Sequence, residues 1–313
     1  MPPNILPSPP DFAAGPVASW SFFFIAGALA VFIALPWAVT RLVKHRDTLP
    51  ILIVGSGFLC SLLEPMLDLL GHLRWANDLP VAFTNFGIDI PWLIPFCYAA
   101  FLGLESYFIY VVFKHGVTVR QIMLMVFPIA IMTDAVMETI GLNLGVYEYY
   151  GYQPYSFLLF PYWWGFINAA SFVTVALLIW YLEPLLKGWN RLAMLLVAPT
   201  GMMIAYFSAG WPHLLAHNST LPEWARFIFA TITMVMCVGV VRVVAHFVAV
   251  PEPQVDWTVG TYLKSRFMLP GARQRLVERL AEQRAVRDAE QAQVGHPTPS
   301  GTSGERVASV DSH

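Results

Sequence analysis

Residues 63–72 read Leu63-Glu64-Pro65-Met66-Leu67-Asp68-Leu69-Leu70-Gly71-His72. Glu64, Asp68 and His72 recur every four residues, so in a helix they share one face. The stretch closes an apolar run that begins at Pro50, and two later runs end in the same way. Asp134 and Glu138 lie in the fourth apolar run, and His213 and His217 close the sixth. A charge near the centre of a bilayer costs about 2.5–3.5 kcal/mol even on lenient insertion scales. Acids and histidines repeated on three such helices point to one shared polar site inside a membrane bundle.

The composition agrees. Hydrophobic residues make up 57% of the 313, aromatic residues 14% and charged residues 12%. A soluble domain carries roughly a quarter charged residues. Seven stretches approach the roughly 20 apolar residues needed to cross a hydrocarbon core as helices: Trp20–Leu42, Pro50–Gly71, Ile90–Phe113, Ile122–Leu142, Phe160–Leu182, Ala193–Trp211 and Ala225–Val248. The expected fold is all-α, a seven-helix integral bundle and a multi-pass protein of a bacterial-type cell membrane. Basic residues favour cytoplasmic loops. Arg41, Lys44, Arg46, Lys114, Arg120, Lys187 and Arg191 follow the odd spans, whereas only Arg74 and Arg226 lie on the opposite side. The N-terminus is therefore expected outside and the C-terminus in the cytoplasm.

Four segments follow: an extracytoplasmic stretch 1–18, the transmembrane domain 19–249, a cytoplasmic tail 250–294, and a disordered end 295–313 rich in Pro, Ser and Gly. The proline-rich start has no basic region before its apolar run and does not read as a cleaved signal peptide. In the tail, Gly271 to Gln293 reads as a charged helix with a narrow stripe at Leu276, Leu280 and Ala285. Cys60, Cys97 and Cys237 fall in spans at unrelated positions and read as small buried hydrophobes. A net charge of −2 without a basic stripe excludes a nucleic-acid partner. The sequence leaves the oligomeric state open.

Spans two, four and six run in the same direction, and their ionisable residues all fall late. Glu64 lies roughly 12 Å deeper than His72 at 1.5 Å per residue. The acids are therefore expected in the outer half, with His213 and His217 at the mouth just beyond the breakers Gly210 and Pro212. No lysine or arginine lies in the outer half of any span. Some of the four carboxyls must be protonated, bonded to histidine or bound to a cation. A neutral carboxylic acid can donate a proton, as acid catalysis requires. Packing-fixing hydrogen bonds are the plainer role for these acids, and interfacial solvation is the plainer role for the histidines. Glu105, away from the cluster, is expected to bond a neighbouring backbone group or tyrosine.

The loop Gly145-Val146-Tyr147-Glu148-Tyr149-Tyr150-Gly151-Tyr152, continuing to Pro161-Tyr162-Trp163-Trp164, reads either as an interfacial aromatic belt or as a lid whose ring faces stabilise a cation. Asn168 lies one turn beyond Trp164. Asp134 or Glu138 is the expected general acid, Glu64 and Asp68 the cation-stabilising or proton-accepting partners. Tyr147, Tyr149, Trp163, Trp164, Asn168 and His72 are the expected substrate contacts. An acid of this kind, acting on a lipid olefin, needs no cofactor. The run Glu138-Thr139-Ile140-Gly141, then Gly145-Val146-Tyr147-Glu148-Tyr149, then Pro161-Tyr162-Trp163 resembles a pattern of membrane carotenoid cyclases and hydratases. That resemblance implies a helical bundle whose carboxylates act on isoprenoid ends, with Glu138, Gly145, Tyr147 and Tyr149 as the positions carried over. The substrate would be an isoprenoid or other lipid small molecule.

Two other readings remain open. His213-x-x-x-His217 is a possible zinc pair with His72 or Asp68 as third ligand, and in this respect the chain resembles alkaline ceramidases and progestin-receptor-type hydrolases. There the pair lies in the last span, here in the sixth. Intramembrane acids also mark proton- or cation-coupled transporters. Retinal bound through a last-span Schiff base is excluded, since span seven has no lysine.

Overall fold

Prolines shape the apolar helices of this chain as much as hydropathy does. The computed structural model describes residues 6–294. Among them, seven helices are long and apolar enough to cross a membrane: α1 Pro16–His45, α2 Leu49–Gly71, α3 Leu93–Lys114, α4 Val119–Asn143, α5 Tyr162–Leu182, α6 Gly188–His217 and α7 Glu223–Val248. A proline inside a helix lacks an N–H and clashes with the carbonyl four residues back. Three helices widen into a π-turn just before one: Leu29–Ala34 before Pro36, Ile122–Val126 before Pro128, and Tyr206–Gly210 before Pro212. The wider turn absorbs the unpaired carbonyl, so the helix continues. In α2 the chain tightens instead, with a 3₁₀ turn at Ser61–Leu63 ahead of Pro65. Glu64 sits at that change of pitch.

The helix α6 corrects one expectation. Gly210 and Pro212 read as breakers that would leave His213 and His217 outside the span. Because the π-turn accommodates Pro212, the helix runs on to His217 and both histidines belong to it.

The central helix is α5, which packs on α3, α4, α6 and α7, while α2 packs on α1, α3 and α6. Gly57 lets α2 approach α3 closely, since a Cβ there would lie 2.5 Å from the Tyr98 carbonyl oxygen. The outer helices α1 and α7 leave apolar side chains such as Phe32, Val235 and Phe247 exposed, which suits a hydrocarbon surround.

The fold is mostly helical, consistent with the expected all-α bundle. One end of the bundle carries three short antiparallel strand pairs: β1 Leu73–Trp75 with β4 Tyr147–Tyr149, β2 Val81–Asn85 with β3 Ile88–Pro91, and β5 Ser156–Phe157 with β6 Phe160–Pro161. Loops that cover a buried site must still pair their backbone N–H and C=O groups, and strand pairing does this. The Phe86-Gly87 turn of β2–β3 has positive φ at both residues, 51° and 74°, the geometry that matches hairpin twist. Across β1–β4, Leu73 faces Tyr149 and Trp75 faces Tyr147.

The other, basic end carries α8 Val259–Arg266 and α9 Pro270–Val294. The docked stripe of α9 differs from the expected one. Val277 is fully buried, Arg273 is buried, Leu280 and Ala281 pack on the core, and Ala285 is exposed. An arginine therefore begins the buried face, which a stripe drawn from apolar residues alone misses. Arg284 and Arg287 both pair with Asp256. The expectation for 295–313 lies outside the described residues.

Candidate functional site

Glu64, Asp68, Asp134 and Glu138 all line one cavity of about 800 Å³, which includes the space open at its mouth. The spacing of four on α2 and on α4 turns each pair to one helix face, and both faces meet here. Asp134 is fully buried, Asp68 is 1% exposed and Glu64 8%, while Glu138 is half-buried. No lysine, arginine or histidine pairs with any of the four among the described residues.

Neutral donors serve them instead. The Asn168 amide donates to both oxygens of Asp134, at 3.1 and 3.0 Å. Tyr206 in turn donates its hydroxyl to the Asn168 carbonyl oxygen. The phenols of Tyr147 and Tyr149 both donate to Oε2 of Glu138, at 3.0 and 3.2 Å. Tyr98 donates to Oε2 of Glu64, and the Trp75 indole donates to Oδ2 of Asp68 at 2.8 Å. Burial, then the neighbouring Glu138 carboxyl, push the Tyr147 and Tyr149 phenols well above their usual range. They remain protonated donors.

The Glu-x-x-Gly spacing has a visible purpose. Tyr147 lies across Gly141, where a Cβ would be 2.4 Å from its Cε1. Only a bare glycine lets the phenol reach back one turn to Glu138. β1 pairing with β4 holds the roof, with the Trp75 ring 4.7 Å from that of Tyr147. Phe101, Trp164 and Phe172 supply further aromatic wall.

Several expected contacts lie elsewhere. Trp163, fully buried, turns away from the cavity and packs on His213 with ring centroids 4.2 Å apart. His72 stacks on Tyr150 at 5.1 Å and lies 4.0 Å from the His217 ring. His213 and His217 are fully buried. They do not form an open mouth, because α6 continues past Pro212, with Trp163 packed on His213 and Gln153 of the 145–161 loop against His217. His72 Nε2 donates to Oδ1 of Asn218 at 3.2 Å, and the Gln153 amide meets Nε2 of His217 at 3.2 Å. Burial holds the His72 imidazole below its usual range, with the Asn218 hydrogen bond opposing. His72 therefore reaches the expected zinc pair, whereas Asp68 turns to Trp75. Among the described residues no three His, Cys, Asp or Glu side chains are arranged to hold a metal ion.

Glu105 bonds neither a neighbouring backbone nor a tyrosine. It forms an ion pair with Arg266 from α8, a partner 161 residues away that local reading could not supply. Cys60 and Cys237 are buried, but Cys97 is half-buried and lines the cavity. Sequence reasoning missed Tyr98, Tyr206 and Trp75. The first two are hydroxyl-bearing residues within apolar spans, which was a usable signal. Trp75 was not marked, since its role depends on the β1–β4 pairing.

No protein-family model matches this chain, and no curated protein or solved structure shows significant similarity to it.

Proposed function

We propose that this protein is a membrane-embedded enzyme that modifies an isoprenoid or similar lipid olefin by acid catalysis. The observation that carries this reading is the cavity itself: four carboxyls around one apolar, aromatic chamber with no basic counter-ion. Like charges crowded in a low-dielectric space cannot all be ionised. At least one carboxyl is held as the acid and can donate a proton.

Glu138 suits that role best. Both phenols occupy Oε2, leaving Oε1 without a hydrogen bond among the described residues, and the group is the least buried of the four. Its O–H bond breaks as a new C–H bond forms on the olefin, leaving a carbocation and a Glu138 carboxylate. The Tyr147 and Tyr149 hydroxyls stabilise that carboxylate. Ring faces of the wall stabilise the cation, and Glu64 or Asp68 accepts the proton lost when the product alkene forms. Asp134, fixed by Asn168, is the second candidate donor. Cyclisation and isomerisation share these steps; in hydration, water instead adds to the cation and its released proton passes to Glu64 or Asp68. None calls for a cofactor.

The strand-bearing end, poor in lysine and arginine, is assigned to the outside of a bacterial-type cell membrane, and the α8–α9 end to the cytoplasm. The chamber then lies in the outer half. Glu138→Gln and Asp134→Asn, expressed with candidate polyenes and followed by mass spectrometry of extracted lipid, test the proposal. Each is expected to lower product formation by about 10²–10⁴-fold while the protein remains folded and inserted. Near-normal turnover in both would remove the acid assignment.

A further inference from the structure

A second cavity lies toward the basic end, about 1050 Å³ with its open space, between α1, α3, α4 and the α8–α9 junction. It shares Cys97, Phe101 and Met137 with the acid chamber, so the two meet through a common wall. From Cys97 to Glu105 along α3 is roughly 12 Å. The side walls are apolar, including Leu29 and Ile33 of α1 and Leu104 of α3.

Its far end is charged. Glu105, Arg266 and Arg273 line it, each no more than 9% exposed. Arg266 pairs with Glu105. Arg273 pairs with no acid among the described residues. It donates to the backbone carbonyls of Ser265, Arg266 and Met268 and lies 4.4 Å over the Phe108 ring. Burial pushes the Arg273 guanidinium down to about 10, still charged at neutral pH. Two arginines thus face one carboxylate, leaving one buried positive charge in surplus. The 25-residue helix α9 also begins here, at Pro270, adding the positive end of its dipole. A buried charge without a counter-ion is costly, and an apolar cavity ending in such a charge matches a ligand with an anionic head and an apolar chain.

We propose that this cavity binds the anionic head group, phosphate or carboxylate, of a single-chain or isoprenoid amphiphile. Arg266, Arg273 and the start of α9 hold the head, and the chain runs past Phe101 and Met137 into the acid chamber. The second half of this assignment rests on the acid-chemistry reading; the first half does not. An olefin far from its own head group would in this way be delivered to the acids by the length of its chain.

Equilibrium dialysis of the full-length protein in neutral detergent tests this, with dodecyl phosphate, dodecanol and inorganic phosphate as probes. Dodecyl phosphate is expected to bind at least about tenfold more tightly than dodecanol, as charge-assisted hydrogen bonds imply. It is likewise expected to bind more tightly than inorganic phosphate. Affinity is expected to follow the net charge of the three side chains. Glu105→Gln tightens binding, Arg266→Gln weakens it, and the double variant, with the original net charge, returns toward wild type. The double variant and Glu105→Gln decide the matter if Arg266→Gln fails to fold. Equal binding of dodecanol and dodecyl phosphate would overturn the head-group site. Inorganic phosphate binding as tightly as dodecyl phosphate would overturn the role of the chain. Dialysis needs no turnover, so an inactive acid chamber and an absent head-group site give separate results.

Discussion

Replacing Gly141 by alanine tests the roof of the chamber through one contact. A Cβ at this position lies 2.4 Å from Cε1, 2.7 Å from the hydroxyl oxygen and 2.8 Å from Cζ of Tyr147. Ordinary carbon contacts are about 3.5–4.0 Å, so the ring must retreat by roughly 1 Å. Its hydroxyl, now 3.0 Å from Glu138 Oε2, then sits at about 4 Å, beyond hydrogen-bond range. The ring has little room to yield, being 4% exposed and packed on Trp75 and Phe22. Overpacking costs about 1–3 kcal/mol and the lost hydrogen bond about 0.5–1.5 kcal/mol. Removing a glycine from the helix returns about 1 kcal/mol. The net expectation is destabilisation of about 1–3 kcal/mol, read from denaturation in mild detergent. Tyr147→Val provides the control: valine suits a strand and ends at Cγ, short of every clashing atom. In that background Gly141→Ala should be stabilising. A change of sign across the double-mutant cycle is the signature. A neutral or stabilising Gly141→Ala in the wild-type chain refutes the placement of Tyr147.

Trp75→Phe removes the one side chain that donates to Asp68 among the described residues and leaves a buried acceptor unpaired, so a loss of about 1–3 kcal/mol is expected in the same denaturation assay. Asn168→Leu is expected to be worse than Tyr206→Phe. The first strips donors from both oxygens of Asp134, whereas the second removes a donor only from Asn168. Acidification should loosen the strand-bearing end through His72, whose folded-state pKa is lowered from 6.5 by burial. Below that value the unfolded chain takes up a proton that the folded chain refuses, so this contribution to stability is present above pH 6.5 and lost as pH falls. Melting temperatures from pH 8 to pH 5 should fall more in wild type than in His72→Gln, and parallel curves would count against it.

The helix periods of this chain were legible because they are local: spacing by four put Glu64 with Asp68, and Asp134 with Glu138, on inward faces. The pairing of those faces in one cavity followed from the cost of exposing carboxyls to lipid. What the sequence concealed was set by longer-range geometry. Pro212 reads as a stop unless the preceding turn is known to widen, and that one misreading moved His213 and His217 from the span to its rim. The partner of Glu105 lies in a tail whose docking face begins with an arginine, so hydropathy did not mark it. The strands of the roof are two to five residues long and carry too little pattern to be read without their partners. Trp163 and Trp164 are adjacent, and nothing local distinguishes the one that lines the chamber from the one that packs on histidine.

The separation of charge along the bundle bears on how such a site can exist at all. Acids crowded without a cation favour the neutral form over the carboxylate, and neutral donors then supply the hydrogen bonds: tyrosine, tryptophan and asparagine do so here. An arginine placed among the acids would hold the carboxyl it pairs with as a carboxylate by favouring the charged form. The arginines that do enter the membrane-facing interior, Arg266 and Arg273, come from the opposite end of the bundle and are met by Glu105, on the same helix as Tyr98 but two turns away. Moving a cation into the chamber should therefore abolish acid chemistry without unfolding the protein. Met137→Lys, on the wall shared by both cavities, is the direct case: its ammonium is expected to pair with Glu138 or Glu64 and hold it ionised. Product formation should then fall as far as in Glu138→Gln, with the melting temperature maintained or raised by the new pair. Retained turnover in a folded Met137→Lys protein would mean that the carboxyl paired with the lysine is not the proton donor.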